Sequence, residues 1–545
     1  MLKTLRDYWL RIDARSLGLF RVALALVLIG DLIRRFRWLK DFYSNEGVLP
    51  NHNHLFNLKD KEAVWSALHA FSSPGENAFA FAWTLFFYIG FLLGWHTRVF
   101  QVLALAMLVS LGSRNILLEN VGNFLAVALL AFTVFLPLGS RFSIDALRRS
   151  LRARDEKTAA QLNDVSPIVA EGLVRRTPGW SPVSLAALGV LLQVALVLLC
   201  TALAQNGESW HDGNALYFAL HTERWVSGIG ASLRDGPAGL LRALTFFLRW
   251  SGFLVPVLIF APVARRQVRL VAVGLLVVHA LLLGLLFDLG LYAWSLLAAA
   301  ALLFPTEAWE HWRQRAAADA SRARTVIYDE DCGICLWICR VLRRLDSAQR
   351  LTFQGNQTLE TLRRRKADGT LEDASMPGVI APDLVASTVV VVDGEGRVST
   401  RGRAVVETVR ALPFGRVLAP VLGAPGFVHI LDFVYDFVAK RRLRISELFG
   451  LGACGVPVAG GEDEPDASEV TPAAQSARLA TTAVREVLAA VVLVAMFAQT
   501  GRHNPALHLE GIRRARCWPR WPAGRACWPG GICSPRSRPA RTAGW

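Results

Sequence analysis

The sequence predicts a polytopic α-helical membrane domain followed by a small α/β domain. Three observations lead there. Of 545 residues, 53% are hydrophobic and only 19% charged, with a mean hydropathy of +0.34; a soluble chain carries about 25% charge. Uncharged apolar stretches long enough to cross a hydrocarbon core of about 30 Å recur through the first 305 residues. From Thr325 the texture changes to β-branched and amphipathic segments separated by turn residues.

The expected spans, about eight, are 17–33, 79–95, 99–113, 121–138, 183–204, 243–263, 268–287 and 289–304. They make residues 1–310 one multi-span domain. The first run follows a segment of mixed charge and lacks a small-residue cleavage site, so it reads as an uncleaved span. The Lys and Arg bias near the span ends favours an N-terminus inside, which puts the segment after Pro305 inside too. A multi-pass protein of the cell inner (plasma) membrane is expected, with its α/β domain cytoplasmic and membrane lipid as one partner.

The net charge of +16 does not indicate nucleic acid. After Glu510 there are eight Arg and no acid, and the remaining basic charge lies mostly in loops beside apolar runs. Residues 511–545, rich in Arg, Pro, Trp and Gly, have no apolar periodicity and cannot build a core; they read as a disordered or frame-shifted tail. Before them come an acidic, Pro-containing linker at 458–480 and a candidate additional transmembrane helix at 481–501. Oligomeric state is not legible.

In the second domain, strands are expected at 325–328, 387–392 and 397–399, the last two joined by the DGEG turn Asp393–Gly396. Helices are expected at 335–345, 404–412 and 427–442. The most specific chemistry lies at VIYDEDCGICLWICRVLRRL, where a strand delivers Asp329 and Asp331 and the pair Cys332-Gly-Ile-Cys335 opens a helix. Free N–H groups and the positive end of a helix favour a thiolate there. The first Cys is expected as the exposed nucleophile, the second as the resolving thiol. Zinc binding and two inert structural cysteines are the other readings of the same residues. For zinc only Cys339 and the distant Cys454 could complete a site, and no metal is assigned.

The DxxCxxC spacing, the later STVVVVDGEGRV with its RGRAV helix, and YDFVAKRRLRISELFGLGAC ending at Cys454 together resemble the DCC family of thiol-disulfide oxidoreductases over 323–457. The resemblance implies a thioredoxin-like fold and protein-disulfide reduction, with Cys332 as nucleophile, Cys335 resolving, and Asp329 and Asp331 as local pKa or capping groups. The implied cofactor is the redox-active disulfide itself, with a protein disulfide or dithiol as partner.

Ionisable residues inside spans are functional candidates by default: Arg21, Asp31, His279 and Asp288. For His279, mid-run in LLVVHALLLGLL, a helix–helix hydrogen bond is the plainer reading. Four segments, SLGLFRVALALVLIGDL, VFLPLGSRFSIDAL, SWHDGNALYFALH and VHALLLGLLFDLG, resemble in their order the horizontally transferred transmembrane domain related to vitamin K-dependent gamma-carboxylase. Gln205 stands where that pattern has its basic Lys, and an amide cannot act as that base, which argues against carboxylation. A polar network of Gln205, Trp210, His211, Asp212 and His221 is the remaining expectation there. The membrane domain could pass electrons to a lipid quinone. Two readings compete with a reductase: a membrane enzyme acting on a lipid-soluble substrate with the CxxC domain as redox regulator, and a non-catalytic scaffold or maturation partner.

Overall fold

The computed structural model describes residues 8–56, 65–118, 120–149, 183–262, 264–317, 320–329, 332–346, 350–355, 388–412, 415–448 and 472–503. They fall into two compact units, one holding the described residues to Ala146, those from 183 to Thr306 and a late helix, the other those from Glu307 to 448.

The first unit is helical: α1 (Ala14–Phe36), α2 (Pro74–Leu93), α3 (Thr97–Arg114), α4 (Val121–Thr133), α5 (Leu185–Ala204), α6 (Ala238–Phe260), α7 (Arg265–Leu286) and α8 (Leu291–Ala300). Local sequence sets their ends. Asp13 caps α1, accepting from the Arg15 amide at 2.7 Å. Ser73 and Glu76 close a capping box on α2 with Pro74 in its first turn, and Gly94 ends it in the left-handed region at φ 67°. At Gly122 a Cβ would strike the main chain of Tyr292, so only glycine lets α4 approach α8 this closely.

Among the described residues, five helices are long and apolar enough to cross a membrane: α1, α2, α5, α6 and α7. The count reaches seven if each of two bent helix pairs is taken as one span. Of the about eight expected runs, five pass alone, 289–304 passes only when joined to the helix after it, and 99–113 and 121–138 fall short, for local reasons. In α3 the apolar run is bounded by Arg98 and Arg114 and interrupted by Gln101. The run at 121–138 stays helical only to Thr133, ahead of Pro137. At 289–304, α8 starts after Gly290 at φ 61° and gives way to a 3₁₀ turn at Ala301–Leu303.

The second unit is a four-stranded mixed sheet with helices. Strand β1 (Arg324–Tyr328) leads into α9 (Gly333–Leu345) and then β2 (Leu351–Gly355), parallel to β1 with Val326 opposite Phe353. The hairpin β3 (Val390–Asp393) and β4 (Val398–Thr400) lies on the other side of β1, giving the order β2-β1-β3-β4 with both further pairings antiparallel. Asp393 shapes its turn by accepting from the Glu395 and Arg397 amides at 3.0 and 2.8 Å. Helices α10 (Arg401–Ala411), α11 (Gly415–Leu422) and α12 (Pro425–Leu448) follow. Val326, Tyr328, Cys339, Leu351, Val391, Ala404 and Ala411 pack as the core.

The expected strands and helices appear with shifted ends. Strand β2 and helix α11 were not expected. A last helix, α13 (Pro472–His503), belongs to the first unit, where Glu486 accepts from the Leu185 amide at 2.7 Å. Residues 472–480, expected as linker, are part of it, because the Ala-rich stretch favours helix. The linker at 458–471, Cys454 and the 511–545 tail lie outside the described residues.

Candidate functional site

Strand β1 ends at Tyr328 and hands the chain to Asp329, whose carbonyl accepts from the Cys332 amide at 3.3 Å. This short loop sets Cys332 at the N-cap of α9 with extended backbone, φ −96° and ψ 105°. Cys335 then lies in the first turn, on the same end of the helix, and both are free thiols. Asp331 lies outside the described residues.

The two thiols polarise each other. The Cys335 thiol hydrogen bonds to the Cys332 sulfur and, with help from the Cys335 amide N–H and the Arg442 charge, overcomes burial and holds Cys332 down at about 7. The Cys335 thiol, which gives its hydrogen to that bond and is partly withdrawn from water beside other sulfurs, is pushed up. A helix N-cap, a donor one turn on and a nearby guanidinium are the ingredients that activate a cysteine. Cys339, one turn further, faces inward and joins the core.

Two points differ from the sequence reading. Cys332 is only 4% exposed, whereas Cys335 is partly exposed, so the nucleophile is not the open member of the pair. Helix α12 packs against α9 and brings Arg442 within 3.2 Å of the Asp329 carboxylate. Arg442 was missed as a site residue. Its signal, the basic run at Lys440–Arg444, lies over a hundred residues from the cysteines and only the fold joins them. Asp329 acquires a definite part through this pair: it orients Arg442, while its own negative charge opposes the Cys332 thiolate.

Residues 326–448 are a DCC1-like thiol-disulfide oxidoreductase domain. That family model spans about a quarter of the chain. No curated protein and no solved structure matches it. The DCC1-like domain thus contains the whole site just described, from β1 through Cys332 and Cys335 to Arg442 and the end of α12. Among the described residues, no group of three or more His, Cys, Asp or Glu could hold a metal ion.

The membrane-domain candidates do not converge on one site. Arg21 donates to the Phe91 and Leu92 carbonyls, both at 2.6 Å, and to that of Phe142 at 2.5 Å, closing the end of α2. His279 meets the Ser251 hydroxyl through Nδ1 at 2.7 Å, a bond between α7 and α6. Asp288 is an exposed partner of Arg34 at 2.5 Å. Gln205 caps the end of α5, its amide donating to the Ala202 carbonyl at 3.2 Å. The expected polar network around Gln205 is absent among the described residues: His211 and His221 each bond a main-chain carbonyl four residues back.

Asp31 belongs to a buried cluster that the sequence reading did not assemble. Arg35 reaches Asp31 at 2.5 Å, the Tyr43 hydroxyl at 2.8 Å and Asn123 at 2.8 Å, tying α1 to α4. The i, i+4 spacing of Asp31 and Arg35 was the available clue.

Proposed function

We propose that the chain is a membrane-bound thiol-disulfide oxidoreductase of the protein-disulfide reductase type. The observation that carries this is the state of Cys332, a thiol at a helix N-cap held near 7 by its CxxC partner. Lowering the thiol from its usual range raises the share of thiolate at neutral pH. The Cys332 thiolate attacks one sulfur of a substrate disulfide, forming a mixed disulfide and expelling the first substrate thiolate. Cys335 yields its proton to that thiolate, and its sulfur then attacks Cys332 and expels the second substrate sulfur as a thiolate, which takes a proton from water. The substrate gains two electrons and the CxxC pair becomes a disulfide, which an external dithiol must reduce again.

The strand order β2-β1-β3-β4, with a helix between the parallel pair and another after the hairpin, supports a thioredoxin-like reading of the domain. Five apolar helices support multi-pass insertion. The horizontally transferred transmembrane resemblance, the inner membrane and the cytoplasmic side for the domain belong to the same proposal. The bond of His279 to Ser251 favours a helix-joining role for that residue over catalysis.

The test is reduction of a model protein disulfide by the full chain in proteoliposomes, with a small dithiol as reductant. Cys332→Ser should abolish turnover, Cys335→Ser should trap a mixed disulfide, and His279→Ala should leave turnover in place. Turnover that survives Cys332→Ser overturns the proposal.

A further inference from the structure

Helix α12 has two faces with different commitments. Its inner face is fastened to the sheet by polar bonds. Tyr435 accepts from the Thr388 hydroxyl and the Val389 amide at 2.9 and 2.8 Å, Asp432 accepts from the Gly402 amide at 2.8 Å, and Arg442 donates to Asp329. Its outer face carries Ile430, Phe433 and Phe437, one helical stripe, with Phe433 73% exposed. Helix α11, set at 87° to α12, adds Val417, 71% exposed, and Val421.

Together α11 and α12 as far as Arg442 are apolar enough to pass for a broken span. They cannot cross a bilayer, because hydrocarbon would strip the partners from the bonds on the inner face. An exposed apolar surface fixed on one side to a folded domain is instead the profile of a helix lying in the membrane interface. Charge selects that surface over a second copy of the chain. Lys440, Arg441 and Arg444 are exposed beyond the apolar stripe, and the Arg441 guanidinium lies 4.0 Å from the Phe437 ring centre. The acids of α12 near the stripe are engaged, Asp432 with Gly402 and Asp436 with Arg401 at 3.9 Å. A basic rim repels its own copy and attracts anionic headgroups, each Lys or Arg near the surface contributing about 1 kcal/mol. The five apolar helices on the same chain keep the domain close to a bilayer, so a weak interfacial contact suffices.

We infer that the outer face of α11 and α12 docks in the interface of an anionic bilayer, with Phe433 and Phe437 in the headgroup boundary and Lys440, Arg441 and Arg444 on the phosphates. The inference stands whether or not the thiols turn over, and its test reads position alone.

The full chain is reconstituted in vesicles of phosphatidylcholine with about one phosphatidylglycerol in four. A fluorescent amino acid replaces Phe433, or Glu395 in the β3–β4 turn as reference, and quenching by lipids spin-labelled high or low on the acyl chain is compared. The expected result is quenching at 433 at least about twice that at 395, strongest for the label nearest the headgroup. Lys440→Glu with Arg441→Glu should weaken it, and so should added salt. Equal quenching at the two positions overturns the inference. So does stronger quenching by the deep label, which would mean a span, or a signal that follows protein density instead of lipid label, which would mean a second copy. Equal quenching in pure phosphatidylcholine removes the anionic surface from it.

Discussion

Replacing Cys335 by Ala removes the largest influence on Cys332 and tests how the thiolate is made. The Cys335 thiol hydrogen bond leads the causes that bring Cys332 from 9.0 to about 7, a stabilisation of about 2–3 kcal/mol for the thiolate. Without it, burial is opposed only by the residue 335 amide and Arg442, and the titration midpoint should return to about 9. At pH 7 the thiolate fraction then falls about fifty-fold. Each remaining thiolate becomes more nucleophilic by about six- to tenfold, from a Brønsted slope of about 0.4–0.5. The rate at pH 7 therefore drops only about five- to eightfold, so the midpoint and not a single rate is decisive. The assay is alkylation of Cys332 in the reduced full chain across pH 5.5–10 or so, read peptide by peptide by mass spectrometry. A midpoint in Cys335→Ala that stays within about half a unit of 7 refutes the reasoning and assigns the activation to the helix end instead.

Three further outcomes follow from the same contacts. Arg442→Met should raise the Cys332 midpoint by less than Cys335→Ala does, by a few tenths of a pH unit, with the difference shrinking as salt is added; the same alkylation profile reads it. Tyr435→Phe removes the acceptor of the Thr388 hydroxyl and the Val389 amide and should cost about 1–3 kcal/mol, seen as faster amide exchange in β3 and β4. Asp31→Asn breaks the buried Arg35 cluster in the first unit and should cost about 3–5 kcal/mol, measured as a lower Tm of the detergent-solubilised chain, while the Cys332 titration stays unchanged.

Much of the second unit was legible because its signals are local. The β-branched run before Asp329, the CxxC at a helix start and the DGEG turn each act over a few residues, and all three appear in place. Strand β2 was not, since LTFQG alternates over only five residues and becomes a strand by pairing with β1. The arrival of Arg442 depends on α12 folding back across more than a hundred residues, which no spacing rule encodes, and the burial of Cys332 is likewise a property of the fold. In the first unit the apolar runs marked the helices, but their usable length was decided by breaks at Thr133 and Gly290. Arg21 was singled out as a functional candidate, and its partners are main-chain carbonyls some seventy to a hundred and twenty residues away. Side chains that satisfy distant main chain leave no pattern in sequence.

The seclusion of Cys332 also bears on chemical durability. A reactive thiolate open to solvent climbs through sulfenic to sulfinic and sulfonic acids, and the last two steps end its working life. Here the reactive sulfur is 4% exposed, while its partner in the next turn is partly open. A peroxide that does reach Cys332 leaves a sulfenic acid within reach of Cys335, which condenses with it to the disulfide before a second oxidant arrives. Damage is thereby converted into the ordinary oxidised state, and any dithiol that restores the domain after turnover also repairs it.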